Sequence, residues 1–386
     1  MLIISLIKQH IVMMPSGKGQ YYAGPNVVML RGTYYYENML FNSLLVVSDL
    51  ARECTKDSIN DVHDARLKEL ATTLPAVLLE SKAKNTQKKY GRGFAAWREW
   101  ASSFPEVQAI PANSLHIALF FVSLIQNGSS CAIINEIHYG VKWFHELGGF
   151  SDPCKCPLVL NVIEAGKRIL STRVKKKEPV TPEIIHALFD KFGTACASLS
   201  DLRLLSLCVL GYTGFLRFDE LVGLKRCDFE FENSHMKVFV ERSKTDVYRE
   251  GAWVLIARTG KATCPVALVI RYFSLANLDP VSDEFIFRAL TFLKSCGKYK
   301  LRNAASPLSY TRAREIVLNA FEGIGLKRSD YGLHSLRAGG ASAAANSNIN
   351  DRLFKRHGRW KSEKAKDGYI KDNVDSLLSV SKSLGI

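Results

Sequence analysis

The chain has 386 residues, 47% hydrophobic and 23% charged, which is too much for one ordinary core and comfortable for two globular domains. Lys and Arg number 52 against 37 Asp and Glu, and the resulting net charge of +15 predicts an anionic partner, nucleic acid first. No run of 18 apolar residues occurs, so neither a transmembrane helix nor a membrane partner is expected, and nine Cys without a recognisable framework point to a reducing, intracellular compartment.

Residues 1–75 form an N-terminal extension to which the sequence assigns no function. Its first 14 residues are apolar but are broken by Lys8, Gln9 and His10, with no clear cleavage site after them. An ordinary start is expected rather than a signal peptide. Tyr34, Tyr35 and Tyr36, and Val46 with Val47, suit a short strand, and 58–70 suits a helix.

Residues 76–172 read as a small bundle of four helices. In 84–104, Tyr90, Phe94, Trp97 and Trp100 recur at helical spacing and make one apolar stripe, expected to be core. The other side of that helix carries Lys84, Lys88, Lys89, Arg92 and Arg98, which are candidate phosphate contacts or simply a solvated face. Ser114 is the expected N-cap of a second helix over 116–126. A third spans 132–147, with Ile133, Ile137, Val141 and Phe144 on one side, and a fourth spans 157–170. Cys154 and Cys156 have the wrong spacing for a common zinc knuckle.

Residues 173–180 look like a basic linker. Lys175, Lys176 and Lys177 are well placed to cross a duplex backbone, and Pro179 stops any helix. A second domain then fills 181–386. Thr181 and Pro182 open its first helix at 182–193, a second helix follows at 200–213, and a short one carries 217–224. Strands are predicted at 228–232, 237–242 and 252–257, with Ser243, Lys244, Thr245 and Asp246 turning between the last two. Helices return at 266–275, 310–324, 334–345, 350–357 and 362–370, and an amphipathic tail carries Val374, Leu377, Leu378, Val380 and Leu384. The expected fold class is mainly α with a small antiparallel sheet.

Each candidate residue is weak alone. Arg217 sits in an apolar context with Glu220 three residues on, a pairing that is commonly structural. Lys244 lies at the tip of the predicted hairpin. His334 and Arg337 share one helical edge at the head of a run of small residues, an arrangement that can grip one phosphate through a guanidinium fork and an imidazole. His357, Trp360 and Tyr369 follow. Clustered carboxylates that would hold a metal are not found.

Taken in order, Arg217 with Glu220, Lys244, His334 with Arg337, Trp360 and Tyr369 resemble the signature of the tyrosine recombinases, the phage-integrase family. The resemblance covers 182–375 by motif, and by architecture it likens 76–172 to that family's helical (SAM-like) core-binding domain. The Gly-Arg-Trp form and the Leu-Arg-Ala-Gly-Gly run look most like eukaryotic mobile-element members of the Crypton or DIRS type. His357 competes with Trp360 for one signature position. The nine residues from Trp360 to Tyr369 favour Trp360 and leave His357 a supporting contact.

The resemblance implies a site-specific integrase that needs no metal or cofactor and works through a 3′-phosphotyrosyl link. Tyr369 would be the nucleophile, Arg217, Arg337, His334 and Trp360 would hold the phosphate, and Lys244 would be the general acid. It also implies a homo-tetramer on paired DNA sites, joined through the tail, acting in the nucleus of a eukaryote or otherwise in the cytoplasm and nucleoid. A DNA-binding protein that has lost catalysis, a topoisomerase of related chemistry and a generic basic scaffold remain the alternatives at this point.

Overall fold

The structure is a computed structural model describing residues 43–60, 62–173, 175–244, 246, 248–302, 306–347 and 349–385. As expected, it is mostly helical with small antiparallel sheets. The chain divides after Arg173 into two compact units. Tyr34, Tyr35, Tyr36 and the first 14 residues fall outside the described part.

The first unit contains six helices among the described residues: α1 Ser43–Asn60, α2 Ala65–Leu79, α3 Lys84–Ser102, α4 Ser114–Gln126, α5 Cys131–Leu147 and α6 Pro157–Leu170. Val46 and Val47 lie inside α1, so the strand expected there is absent. Val47 instead packs into the core beside Leu50 and Ala51. The helix expected over 58–70 is two helices, α1 ending at Asn60 and α2 starting after Asp64, whose carboxylate caps the amides of Arg66 and Leu67. The N-cap of α4 is Asn113 rather than Ser114, whose hydroxyl donates to the Pro153 carbonyl at 2.9 Å.

The aromatic stripe of α3 is core. Phe94 and Trp97 are buried, and Phe94 stacks on Phe144 of α5 with ring centroids 4.6 Å apart. Two glycines let these helices touch, because a Cβ on Gly93 would strike the Glu136 carbonyl and one on Gly140 the Tyr90 carbonyl. The apolar spacing predicts which sides meet, but the closeness depends on residues with no side chain.

The second unit is built around α8 (Leu199–Thr213), which follows α7 (Pro182–Phe192) and is buried on nearly every side. A helix apolar all round belongs in a core. It packs on α10 (Pro265–Ala276) and α12 (His334–Ala345). The short α9 spans Phe218–Val222. Strands β1 (Phe229–Phe231), β2 (His235–Val240) and β3 (Ala252–Ala257) form one antiparallel sheet in the order β1-β2-β3, pairing Val238 with both Phe229 and Val254. Met236, Val238 and Val240 face the core from one side of β2, the period-two pattern of a half-buried strand. A second hairpin, β4 (Leu290–Leu293) with β5 (Lys298–Leu301), was not foreseen in the sequence.

Helices α11 (Tyr310–Gly323), α13 (Asp351–Gly358), α14 (Glu363–Asp367) and α15 (Val374–Lys382) complete the unit. The helix expected over 362–370 stops at Asp367, leaving Tyr369 in the turn beyond it. The small residues of α12 serve close packing. A Cβ on Gly339 would meet the Val180 backbone, and one on Gly340 the Tyr212 carbonyl and the Phe215 ring. Helix α15 has no buried residue. Val374, Leu377 and Val380 are each more than half exposed.

Candidate active site

The site forms where the C-terminal end of α8, the start of α12 and the segment after α13 converge. The chain leaves α8 through Gly214 and turns sharply at Phe215, whose φ is 46°. This turn delivers Arg217 to the N-cap of α9, one position outside the helix in which it was expected. Glu220 reaches back from the third helical position, accepting from the Arg217 amide at 2.9 Å and from its Nη1 at 2.6 Å.

Glu220 is the hub of the pocket. Its carboxylate also accepts from Arg359 Nη2 at 2.8 Å and lies 3.7 Å from Arg337 Nη1, with the side chains of Glu220 and Arg337 at 2% and 0% exposure. Burial alone would raise its pKa. The Arg359 guanidinium, then the Arg217 amide and guanidinium, outweigh burial and hold Glu220 below the usual carboxylate range. One carboxylate therefore faces three guanidinium groups, and the pocket is left with excess positive charge.

Arg337 enters from the first turn of α12. Its Nη1 donates to the Phe215 carbonyl and its Nη2 to the Gly358 carbonyl at 2.7 Å. Its Cζ lies 5.0 Å from the Trp360 ring and 4.8 Å from the Tyr369 ring. Burial and the neighbouring Arg217 depress its pKa. Burial opposes the charge on Arg217 as well, but Glu220 and then the nearby Tyr369 phenol raise its pKa above the ordinary value. Tyr369 thus lies over Arg337 and beside Arg217 in one chain.

Trp360 is 5% exposed and packs among Phe215, Phe354 and Tyr369, with centroids 6.0, 5.0 and 6.0 Å away. Its indole N–H has no acceptor, and neither do Arg337 Nε and Arg359 Nε. Three buried donors left open in one pocket are unusual, because buried polar groups are nearly always paired. An anion seated here would supply the acceptors.

His334 is exposed at the head of α12. Partial desolvation, then Arg337, Arg217 and Lys244, hold its imidazole below the ordinary value against an opposing pull from Asp219, so it is neutral at pH 7. Lys244 is exposed in the β2–β3 loop, near enough for its charge to bear on His334. A cleft of about 390 Å³ opens beside the cluster between that loop, at Ser243 and Gly251, and Arg352, Arg356, Arg359 and Trp360.

The pocket therefore brings together Arg217, Glu220, Arg337, Trp360 and Tyr369, with His334 at the head of α12 and Lys244 in the β2–β3 loop close enough to act on one another's charge. His357 is a structural contact, its Nε2 2.7 Å from the Thr213 carbonyl and its ring edge-on to Phe215. Arg359 was missed. It ends α13 in a left-handed conformation (φ 55°), an unusual place for a non-glycine residue, and only its position beside Trp360 could have flagged it.

The basic residues named outside the pocket are partly committed. Arg92 makes a two-point bond to Glu136, with Nε–Oε1 at 3.0 Å and Nη2–Oε2 at 3.2 Å, and Lys84 pairs with Glu80, while Lys89 is exposed and Lys88 half-buried. In the linker, Lys175 pairs with Asp330 at 2.8 Å and Lys177 donates to the Ser329 carbonyl, leaving Lys176 exposed. Among the described residues, no three His, Cys, Asp or Glu side chains gather to hold a metal ion.

No family model matches the chain. It is 27% identical over 340 residues to an integrase/recombinase xerD homolog of Selenomonas ruminantium, spanning 86% of this chain and 95% of that protein. Among solved structures it is similar to the XerH site-specific recombinase bound to palindromic difH substrate in a post-cleavage complex, with a TM-score of 0.54 at 17% identity over 88% of this chain and 94% of that one. The pre-cleavage XerH complex gives a TM-score of 0.50 at 16% identity over 88% and 95%. At those identities the solved structures speak to the fold. With the near end-to-end relative and the ordered set of residues in one pocket, the chain is similar to the tyrosine recombinases (integrases) along most of its length.

Proposed function

We propose that this protein cuts and rejoins duplex DNA through a covalent 3′-phosphotyrosyl intermediate. The observation that carries the reading is the convergence of Arg217, Arg337 and Tyr369 within one subunit, with the Tyr369 ring 4.8 Å from the Arg337 guanidinium. A phenol beside two guanidinium groups suits in-line attack on a phosphodiester.

In that attack the Tyr369 oxygen bonds to phosphorus, the bond to the 5′ oxygen breaks, and the phenol proton leaves. Neutral His334 is the candidate to receive that proton, and Lys244 is the general acid that protonates the departing 5′ oxygen. Charge grows on the non-bridging oxygens in the transition state. Arg217, the open Nε of Arg337 and the open indole N–H of Trp360 are the donors for it, each worth roughly 3–4 kcal/mol when preorganised. The phosphate ester link conserves the bond energy, so a second 5′-hydroxyl can reverse the step without ATP. Positive charge comes from guanidinium groups, and no metal is assigned a part.

The exposed apolar side of α15 supports assembly. In this reading it docks on a neighbouring copy to join four subunits on two paired sites, and truncation after Asp372 would leave binding to single sites but abolish the assembled complex in native gels. The protein acts where the cell keeps its DNA, in the nucleus of a eukaryote or the nucleoid of a bacterium. Service to a mobile element fits the resemblance, and the curated relative is bacterial.

A nicked suicide duplex, which loses the attacking 5′-hydroxyl after cleavage, tests the chemistry. The wild-type chain should accumulate an SDS-resistant DNA adduct, and Tyr369→Phe should bind the duplex and form none. A wild-type chain that binds without any adduct would instead be a DNA-binding protein that has lost catalysis.

A further inference from the structure

The β4–β5 hairpin is an exposed, strongly basic ribbon that the pocket chemistry does not use. From Phe285 to Arg314 the sequence has seven Lys and Arg residues and no Asp or Glu. Two of these cations are paired at the edges of the stretch, Arg288 with Glu284 at 2.9 Å and Arg312 with Glu315 at 2.5 Å. Lys294, Lys298, Lys300 and Arg302 have no acidic partner among the described residues. Arg302 Nε donates only to the Thr291 hydroxyl, at 3.0 Å.

The register explains how the ribbon is presented. Leu290 pairs with Leu301 and Phe292 with Tyr299 on one side, while Thr291 pairs with Lys300 and Leu293 with Lys298 on the other. Side chains alternate across a strand, so the apolar pairs share one side and the lysines the opposite one. Leu301 is buried in the core of the second unit and anchors the base. Every residue from Thr291 to Lys300 is exposed, and the Phe292 and Tyr299 rings, 5.1 Å apart, stiffen the projecting half. Gly297 closes the turn with φ 64°.

We infer that this hairpin is a second DNA contact, which lays Lys294, Lys298 and Lys300 against the phosphate backbone of duplex flanking the cut. A two-stranded ribbon is narrow enough for the major groove, and unpaired lysines without neighbouring acids suit a polyanion. The inference rests on the DNA reading above and adds a surface made of residues that the pocket does not use.

The test is the triple variant Lys294→Gln/Lys298→Gln/Lys300→Gln of the full chain, with Lys→Arg at all three positions as the charge-keeping control. Binding of a fluorescent 40-base-pair duplex is measured by anisotropy from about 50 to 300 mM salt. Removing one lysine–phosphate interaction shallows the slope of log K against log salt by about 0.9, so the Gln variant should lose up to nearly 3 in slope and at least about tenfold in affinity at 150 mM. The Arg variant should match wild type, and because the side chains are exposed both should melt as wild type does. If wild type binds and the Gln variant keeps the same slope and affinity, the hairpin has no such role. A wild-type chain that ignores duplex sinks the DNA reading together with this one, and the two failures are distinguished by the wild-type curve alone.

Discussion

Replacing Glu220 with Gln removes one negative charge and little volume from the centre of the pocket. The carboxylate is 2% exposed and lies 2.6, 2.8 and 3.7 Å from Arg217, Arg359 and Arg337. At an effective dielectric of about 20, each of the two shorter contacts is an attraction of roughly 6 kcal/mol before desolvation is charged against it. Breaking a buried pair by removing one partner typically costs about 3–5 kcal/mol, because the other charge stays buried. Gln keeps an oxygen that can accept from one guanidinium, so the low end, about 3 kcal/mol, is expected. Urea unfolding followed by circular dichroism should show the midpoint falling by about 1 M or more. Glu230→Gln is the control, since its pair with Lys237 is exposed and worth at most about 1 kcal/mol. The sign with pH follows from the depressed pKa of Glu220. Its stabilisation is present above the ordinary glutamate value and lost as pH falls through the lower folded value, so the gap between wild type and variant should close in acid. If Glu220→Gln unfolds at the wild-type midpoint, Glu220 is not the counter-charge that holds the arginines.

Gly340→Ala should cost about 1–3 kcal/mol by overpacking α12 against the Tyr212 carbonyl and Phe215, read as a melting shift of roughly 3–10 °C, whereas Gly332→Ala, with open space around it, should melt as wild type does. Arg337→Lys gives up the fork between the Phe215 and Gly358 carbonyls and should lower the single-turnover rate of adduct formation by about 10²–10³, with an unchanged rate counting against a transition-state role. An NMR titration should give His334 a midpoint below 6.5, and Lys244→Gln should move it upward by removing a nearby positive charge; a midpoint above 6.5 in the wild type would contradict the electrostatics of the pocket.

The pocket residues were legible in the sequence because their order along the chain is fixed by the elements that carry them. Apolar spacing likewise marked α3, α5 and α6 to within a residue or two. What was not legible depends on contacts between distant segments. The sequence does not say that Glu220 serves three arginines, since two of those partners are more than a hundred residues away. Arg359 looks like one more basic residue until its left-handed backbone turns it inward. Arg92 and Lys175 read as free cations because Glu136 and Asp330 lie far along the chain. The β4–β5 hairpin was missed because Leu290–Leu293 is too short and too little alternating to stand out from a loop.

The linker also has a bearing on the nucleophile's backbone. Glu178 is ion-paired with Lys371, two residues beyond Tyr369, and the Lys371 amide is held by the Ser342 hydroxyl at 2.9 Å. The extended segment that enters the second unit is thus moored to the segment that carries the phenol. Residues on either side of this pair are therefore tied in one local network, so that neutralising Glu178 would free the backbone on which Tyr369 sits from one of its tethers.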